Sequence, residues 1–510
     1  MGMRLTRGMI TRIALASGAL AVACAVLSAG ASASAVKIHR MYMPAPPAPG
    51  TPEPFTPPKV LRLRARIDLN QVGVIKVGPT TAKNVLVLEP GTSAGAGYFV
   101  PFAKSLVERL PGWQVWSVER RENLLEDQSM LHRAKIGKAS AAELFRYYLG
   151  YLTEGANAGK DHYKPIPSED VEFAREWGMN VAVEDLHTVI EAAKALGGKV
   201  VLGGHSLGGS VVTAYATWDF GGKPGAEGLS GLVYDDGGSS PIPVSKEEAE
   251  SELTALSHKS PWLAFGGISA PDLGLFSMLG STATVLFPEE ASLTQNFPFL
   301  PEDLKPTEPA GCKLSEPGCK LIPVTNEAQF GFDVNVGTSP PSLIAAQVHA
   351  GKGIEETAKE DGLRGWDGEG ALTPLRRYAE MLSGTDLPYA DGSEWYFPER
   401  LTIDTGAVAE GNANPAQEVL DEHAIFGHDL PISLKILAID TELDKFLGAG
   451  NTLEAAEILA EQSGIPKENL TLINEEESYA HNDPAGADPV SEGLEGNIFF
   501  KELKAYLERL

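Results

Sequence analysis

The chain has 510 residues, 43% of them hydrophobic and 22% charged, with 54 Gly and 36 Pro. That composition supports a large buried core with many turns. The formal net charge of −26 repels phosphate backbones and anionic membrane surfaces, and no Lys/Arg cluster overrides it, so a nucleic-acid partner is excluded.

The first 35 residues have the layout of a secretory signal peptide. Arg4, Arg7 and Arg12 form a basic start, Ile13 to Leu27 is apolar and uncharged, and Ala31 to Ala35 offers small-residue cleavage sites. The apolar run falls short of the roughly 18–20 residues that span a bilayer. No later segment is apolar enough, so no membrane span is expected after signal removal. A secreted, cell-surface or periplasmic location follows, with lipidation of Cys24 as a lesser alternative. Residues 36–59 are Pro-rich (Pro44, Pro46, Pro47, Pro49, Pro52, Pro54, Pro57, Pro58) and read as an extended linker.

From residue 60 the pattern is that of a strand-helix core in two parts, 60–238 and 430–510. Val60–Leu69 and Val72–Val77 read as leading strands. A strand over Asn84–Leu88 ends at Pro90-Gly91 and is followed by a helix over Phe99–Leu110 and a strand over Trp113–Val118. Met179–Leu196 carries apolar residues at helical spacing. Lys199–Leu202 is a strand that runs directly into Gly203-Gly204-His205-Ser206; Ser210–Thr217 is a helix and Leu229–Tyr234 a strand. Residues 239–429 break the rhythm with short helices and loops. An interruption of that length between strands is a functional insertion, read here as a cap or lid. The rhythm resumes with a strand over Leu434–Ile439, a helix over Leu453–Gln462, a strand over Leu470–Ile473 and a closing helix over Asn497–Leu510. Continuous apolar strands alternating with amphipathic helices predict a mostly parallel sheet covered on both faces.

Gly204-His205-Ser206-Leu207-Gly208 matches Gly-x-Ser-x-Gly. The match gains weight from its place between a strand and a helix, where a sharp turn lifts the serine hydroxyl out of the sheet. Ser206 is the candidate nucleophile. A serine hydroxyl needs a base within hydrogen-bond reach. Among the ten histidines, His481 alone lies beyond the Leu434–Ile439 strand, just past the final strand. The acid that orients the imidazole stays open between Asp444 and Asp236, with Asp444 ranked first and Asp440 behind both. Chain order does not choose among them. Two backbone N–H groups are expected to hold the oxyanion, those of Leu207 and of Thr92 in the Pro90–Gly95 loop. Cys312 and Cys319 are the two cysteines beyond the signal and read as a disulfide. No metal or organic cofactor is implied.

These segments (Val85–Gly95, Lys199–Gly209, Leu229–Gly238, Lys435–Asp444 and Leu470–Asp483) resemble the α/β-hydrolase superfamily. The resemblance covers the sheet but not residues 239–429. It implies an eight-stranded, mostly parallel sheet, a Ser-His-acid triad and a large cap inserted between strands 6 and 7. The oxyanion loop departs from the common His-Gly start, having Pro90-Gly91. Fold does not set substrate. The expected reaction is hydrolysis of a carboxylic ester through an acyl-enzyme. Acyl transfer, a peptidase, or a non-catalytic exported binding protein are the alternatives. Leu263, Phe265, Leu273, Leu275, Phe276, Leu279, Phe287, Phe297 and Phe299 make the insertion apolar. They suit either an apolar acyl or alcohol group of a small-molecule substrate or the insertion's own core.

Overall fold

The computed structural model describes residues 36–57, 66–158, 161–265, 267–298, 300–339, 343–351, 353–443, 452–489 and 496–510. The signal segment and Cys24 lie outside the described residues. Contacts divide the chain into Met1–Lys37 and Ile38–Leu510; every element below belongs to the second unit.

Eight strands form one sheet: β1 (Ile38–Pro44), β2 (Gln71–Val77), β3 (Asn84–Glu89), β4 (Trp113–Glu119), β5 (Val200–His205), β6 (Gly231–Asp235), β7 (Lys435–Asp440) and β8 (Leu470–Asn474). Their order is β1-β2-β4-β3-β5-β6-β7-β8. β2 is antiparallel to β1 and β4, and the remaining pairs are parallel. This is the α/β-hydrolase fold that the resemblance implies.

The central strands are Val, Leu and Ile runs buried on both faces. One face is covered by α2 (Met179–Lys194) and α3 (Leu207–Thr217). Val183, Leu186 and Ile190 of α2 and Val211, Val212 and Tyr215 of α3 share a core with Val85, Val200, Leu232 and Ile436 of the strands. The other flanking helices are α1 (Val100–Arg109), α6 (Thr452–Gln462) and α7 (Ile498–Arg509). Each lies within a residue or three of the range that the 3.6-residue periodicity predicts.

The leading edge differs from expectation. The region read as a linker contains β1, whose seven residues pair antiparallel with β2 from Ile38↔Val77 to Pro44↔Gln71. Pro44 is tolerated because β1 is the edge strand of the sheet. β1 is an edge strand, mostly half-buried, so the period-2 signal is weak. Of the strand expected over Val60–Leu69, residues 60–65 lie outside the described residues. Ile67 forms an isolated bridge to Phe55.

Between β6 and β7 the chain leaves the sheet for about 200 residues. This stretch holds α4 (Ala270–Leu286) and α5 (Leu375–Ser383), which pack on each other. It shares a second core with residues 125–181, a stretch whose helices Ser129–Lys135 and Ala141–Tyr148 went unassigned from the pattern. Leu144, Tyr148, Leu275, Leu279 and Trp395 belong to that core. Cys312 and Cys319 are bonded, with Cα atoms 5.8 Å apart, beside the ribbon formed by Thr307–Glu308 and Lys320–Leu321.

Candidate active site

The parallel register brings the carboxyl ends of five strands to one edge. Glu89 faces Gly204, His205 faces Asp235, and Asp235 faces Ile439. The loops that follow these residues carry the polar groups, as open α/β sheets place their ligands outside the strands' carboxyl ends.

β5 ends in the elbow. Ser206 has φ 55 and ψ −129, a left-side conformation that a non-glycine residue holds only when its surroundings enforce it. They do so here: Ser206 N donates to Asp235 O (3.0 Å) and Gly209 N to Ser206 O (2.8 Å). The flanking glycines are required by close approach. A Cβ on Gly204 would sit 2.2 Å from Gly208 O, and one on Gly208 would sit 2.2 Å from Glu89 O. Leu207 is the first residue of α3, so its N–H lies at the helix's positive end.

The imidazole of His481 meets Asp236. His481 Nδ1 donates to Asp236 Oδ2, and both side chains are buried. Asp236 is placed by an unusual backbone (φ 48), with its own N donating to Ile439 O. Thr441 N donates to Asp236 Oδ1 (2.8 Å), and Thr441 Oγ1 donates to Oδ2. Asp444, ranked first from the sequence, lies outside the described residues; the carboxylate on His481 is that of Asp236. The physical reason is that Asp236 needs no long turn. Its reversed φ at the tip of β6 aims the carboxylate across β7 toward the loop after β8. Asp440 Oδ1 accepts from Leu453 N (3.0 Å) in the first turn of α6.

The loop bearing His481 is fixed from several sides. His205 Nε2 donates to His481 O (3.0 Å), and the His205 ring stacks on Tyr98. Tyr98 OH donates to Asn482 Oδ1 (3.0 Å), and Asn482 Nδ2 donates to Leu343 O and Ala345 O in the insertion. The Asp483 carboxylate accepts from Ala480 N, Gln347 N and Thr373 Oγ1. Burial, reinforced by His481, pushes His205 down to about 3, so it is neutral and able to donate from one nitrogen only.

Arg120 organises the loop opposite Ser206. Its guanidinium donates to Glu89 Oε1 (2.8 Å), Pro90 O (2.9 Å), Gly91 O (3.0 Å) and Ala94 O (2.9 Å), and its Nε to Glu394 Oε2 (2.9 Å). Glu394 N in turn donates to Ser93 O (2.8 Å). Burial pushes the Glu89 carboxyl up to about 7 against the pull of Arg120. Within this clamped loop Gly91 abuts the nucleophile: a Cβ there would lie 2.8 Å from Ser206 Cβ. Arg120, Thr441 and Glu394 hold these loops through the hydrogen bonds above, and the sequence reading names none of them. An Arg directly after a strand ending in Glu119 was the available signal for the first.

Thr92, Ser206 and His481 line a common cavity of about 660 Å³. The same cavity is lined by Phe265, Leu273, Phe276 and Phe297, whereas Leu275 and Leu279 belong to the insertion's core. The apolar residues of the insertion are thus divided between the cavity wall and the insertion's own core; Leu263 packs against the sheet's core, and Phe299 lies outside the described residues. Among the described residues no cluster of three His, Cys, Asp or Glu side chains is arranged to hold a metal, and no helix is long and apolar enough to cross a membrane.

No family model matches the chain, and no curated protein does. Among solved structures, the chain is similar to a putative lipase from Sulfolobus solfataricus (13% identity, TM-score 0.43, 93% of each chain covered). It is also similar to a highly thermostable carboxyl esterase from Bacillus coagulans (11% identity, TM-score 0.35, 92% of this chain and 98% of that one). A third likeness is to a thioesterase domain from the curacin biosynthetic pathway (11% identity, TM-score 0.36, 86% and 95%). The strand order and the elbow of this chain carry the fold assignment by themselves.

Proposed function

We propose that this chain is an exported serine hydrolase that cleaves carboxylic esters bearing an apolar group. The observation that carries the reading is the line of groups from Asp236 through His481 into the cavity that Ser206 also lines. A carboxylate on Nδ1 fixes the tautomer that leaves Nε2 unprotonated and basic, and it stabilises the imidazolium once formed. His481 takes the Ser206 proton as the hydroxyl oxygen bonds to the ester carbon. The carbonyl oxygen becomes an oxyanion facing the N–H groups of Leu207 and Thr92. Collapse breaks the ester C–O bond, and His481 returns its proton to the departing alcohol. Water, deprotonated by His481, then attacks the acyl-Ser206 carbon; the C–Oγ bond breaks as His481 returns that proton to Ser206 Oγ, and the acid is freed.

Export rests on the basic start, apolar run and small residues within positions 1–35. The apolar lining supports an apolar acyl or alcohol group. The test is labelling with a fluorophosphonate probe, followed by p-nitrophenyl esters of rising chain length. Wild type should label at Ser206 and turn over the esters. Ser206→Ala should do neither, and His481→Gln should lose about 10³-fold or more in rate. Full labelling of the Ser206→Ala protein would remove the assignment.

A further inference from the structure

The cavity is also lined by a buried carboxyl that the proposed chemistry does not use, that of Asp333. Asp333 lies in the last turn of the helix Asn326–Val334, where a negative charge faces the negative end of the helix. It is 8% exposed and lines the cavity beside Phe330, Val334 and Leu304. Its Oδ1 accepts from Gln329 Nε2 (2.7 Å), and Gln329 Nε2 also donates to Leu304 O (2.8 Å). No Lys or Arg is among the described residues lining the cavity. Asp272, the other aspartate there, is exposed and is held by Ser269 Oγ.

Burial raises the Asp333 carboxyl above the usual carboxylate range. Oδ1 takes the amide of Gln329, and the carboxyl's other oxygen can accept a hydrogen bond, or donate one when it carries the proton. The pair with Gln329 is a contact between neighbouring turns of the helix and uses one oxygen. An aliphatic side chain would line an apolar pocket at lower cost, because each buried polar atom left without a partner is unfavourable by about 1–3 kcal/mol.

We propose that Asp333 is a specificity-determining residue that hydrogen-bonds a hydroxyl on the apolar part of the substrate, so that the preferred esters are hydroxylated rather than plain aliphatic ones. This rests on the ester-hydrolase reading of the same cavity. A hydroxyl can donate to a carboxyl oxygen and accept from a carboxyl O–H, so it suits this group in either protonation state. Discrimination of this kind is strong, since the analogue that lacks the hydroxyl leaves the second carboxyl oxygen facing an apolar group.

The test separates binding from turnover. Ser206→Ala protein is titrated calorimetrically with methyl octanoate and with methyl hydroxyoctanoates whose hydroxyl is moved along the chain. At least one positional isomer should bind about tenfold or more tightly than methyl octanoate. Adding Asp333→Leu should remove that preference while leaving methyl octanoate bound as well or better. Asp333→Asn, which keeps a donor and an acceptor, should retain most of it. Circular dichroism and thermal melts establish that each variant is folded; if the Leu variant does not fold, Asp333→Ala takes its place, with the same loss of preference expected and persistence of the preference overturning the inference. The inference is overturned when no isomer is preferred, when neither ester binds, or when the preference persists in a folded Leu variant. Fluorophosphonate labelling of wild type reports the catalytic reading independently. Labelling without hydroxyl preference removes only this inference; preference without labelling removes only the hydrolase.

Discussion

Asp236 and His481 are 245 positions apart in the chain and in direct contact in the fold, carboxylate to Nδ1. The contact is held by Thr441, which donates to both oxygens of the same carboxylate from its backbone and its hydroxyl. Asp236 is thus an acceptor with its lone pairs committed, and the imidazole has one orientation.

Replacing Asp236 by Asn keeps the shape and inverts one hydrogen bond, so that the amide favours the wrong tautomer of His481. Turnover of a p-nitrophenyl ester by Asp236→Asn should fall on the order of 10⁴-fold, the scale known for this change in a serine protease triad. Asp444→Asn should lose less than about tenfold. The two variants assayed side by side decide the assignment; a collapse in Asp444→Asn with normal rates in Asp236→Asn would reverse it.

The contrast between these two aspartates shows what the sequence could reveal. The strands, the turn at Ser206 and the place of His481 beside it were legible because each is local: an apolar run, a Gly-x-Ser-x-Gly turn, a histidine after the last strand. The acid depends on which of two loops reverses toward the base. That is decided by the φ of Asp236 and by Thr441, neither of which leaves a mark in composition. β1 was illegible for a related reason. It is an edge strand with little burial contrast, and the prolines that follow it dominate the reading. The bond between Cys312 and Cys319 was legible because so few cysteines leave so few pairings.

Arg120 and its neighbour Arg121 make a matched pair for a second prediction. Both are buried and ion-paired, Arg120 to Glu89 and Glu394, Arg121 to Asp185. Only Arg120 binds the carbonyls of the Pro90–Ala94 loop. Each Arg→Met variant should destabilise by about 3–5 kcal/mol, because a buried carboxylate loses its partner. Arg120→Met should in addition slow fluorophosphonate labelling of folded protein by about 10²-fold, since displacement of the loop by an ångström has that effect on reacting geometry. Arg121→Met should leave the labelling rate within a few-fold of wild type. Equal slowing in both variants would mean that Arg120 acts through stability alone.

The buried carboxyls also set how stability changes with pH. Burial, with Glu454 adding to it, raises Glu410 to about 8. Burial raises Asp391 to about 7 against the pull of Lys135, Glu89 to about 7, and Asp404 and Asp483 to about 6. In the unfolded chain these groups titrate near 4. Between pH 5 and 7 the folded state therefore holds protons that the unfolded state has released, and stability falls as pH rises. Bases lowered by burial oppose this, His187 modestly. His205, pushed down to about 3, gains stability as pH rises toward 6.5. Lys135, lowered to about 7 mainly by burial, does so only above pH 7. Below pH 7 the raised carboxyls outnumber the one strongly lowered histidine, so their sign prevails. The melting temperature measured by calorimetry should drop from pH 5.5 to pH 7. Glu410→Gln, which removes the carboxyl with the highest of these values, should make the drop shallower while preserving the fold. A melting temperature that climbs over this interval in wild type would show that the buried carboxyls are ionised in the folded protein and held by their partners instead.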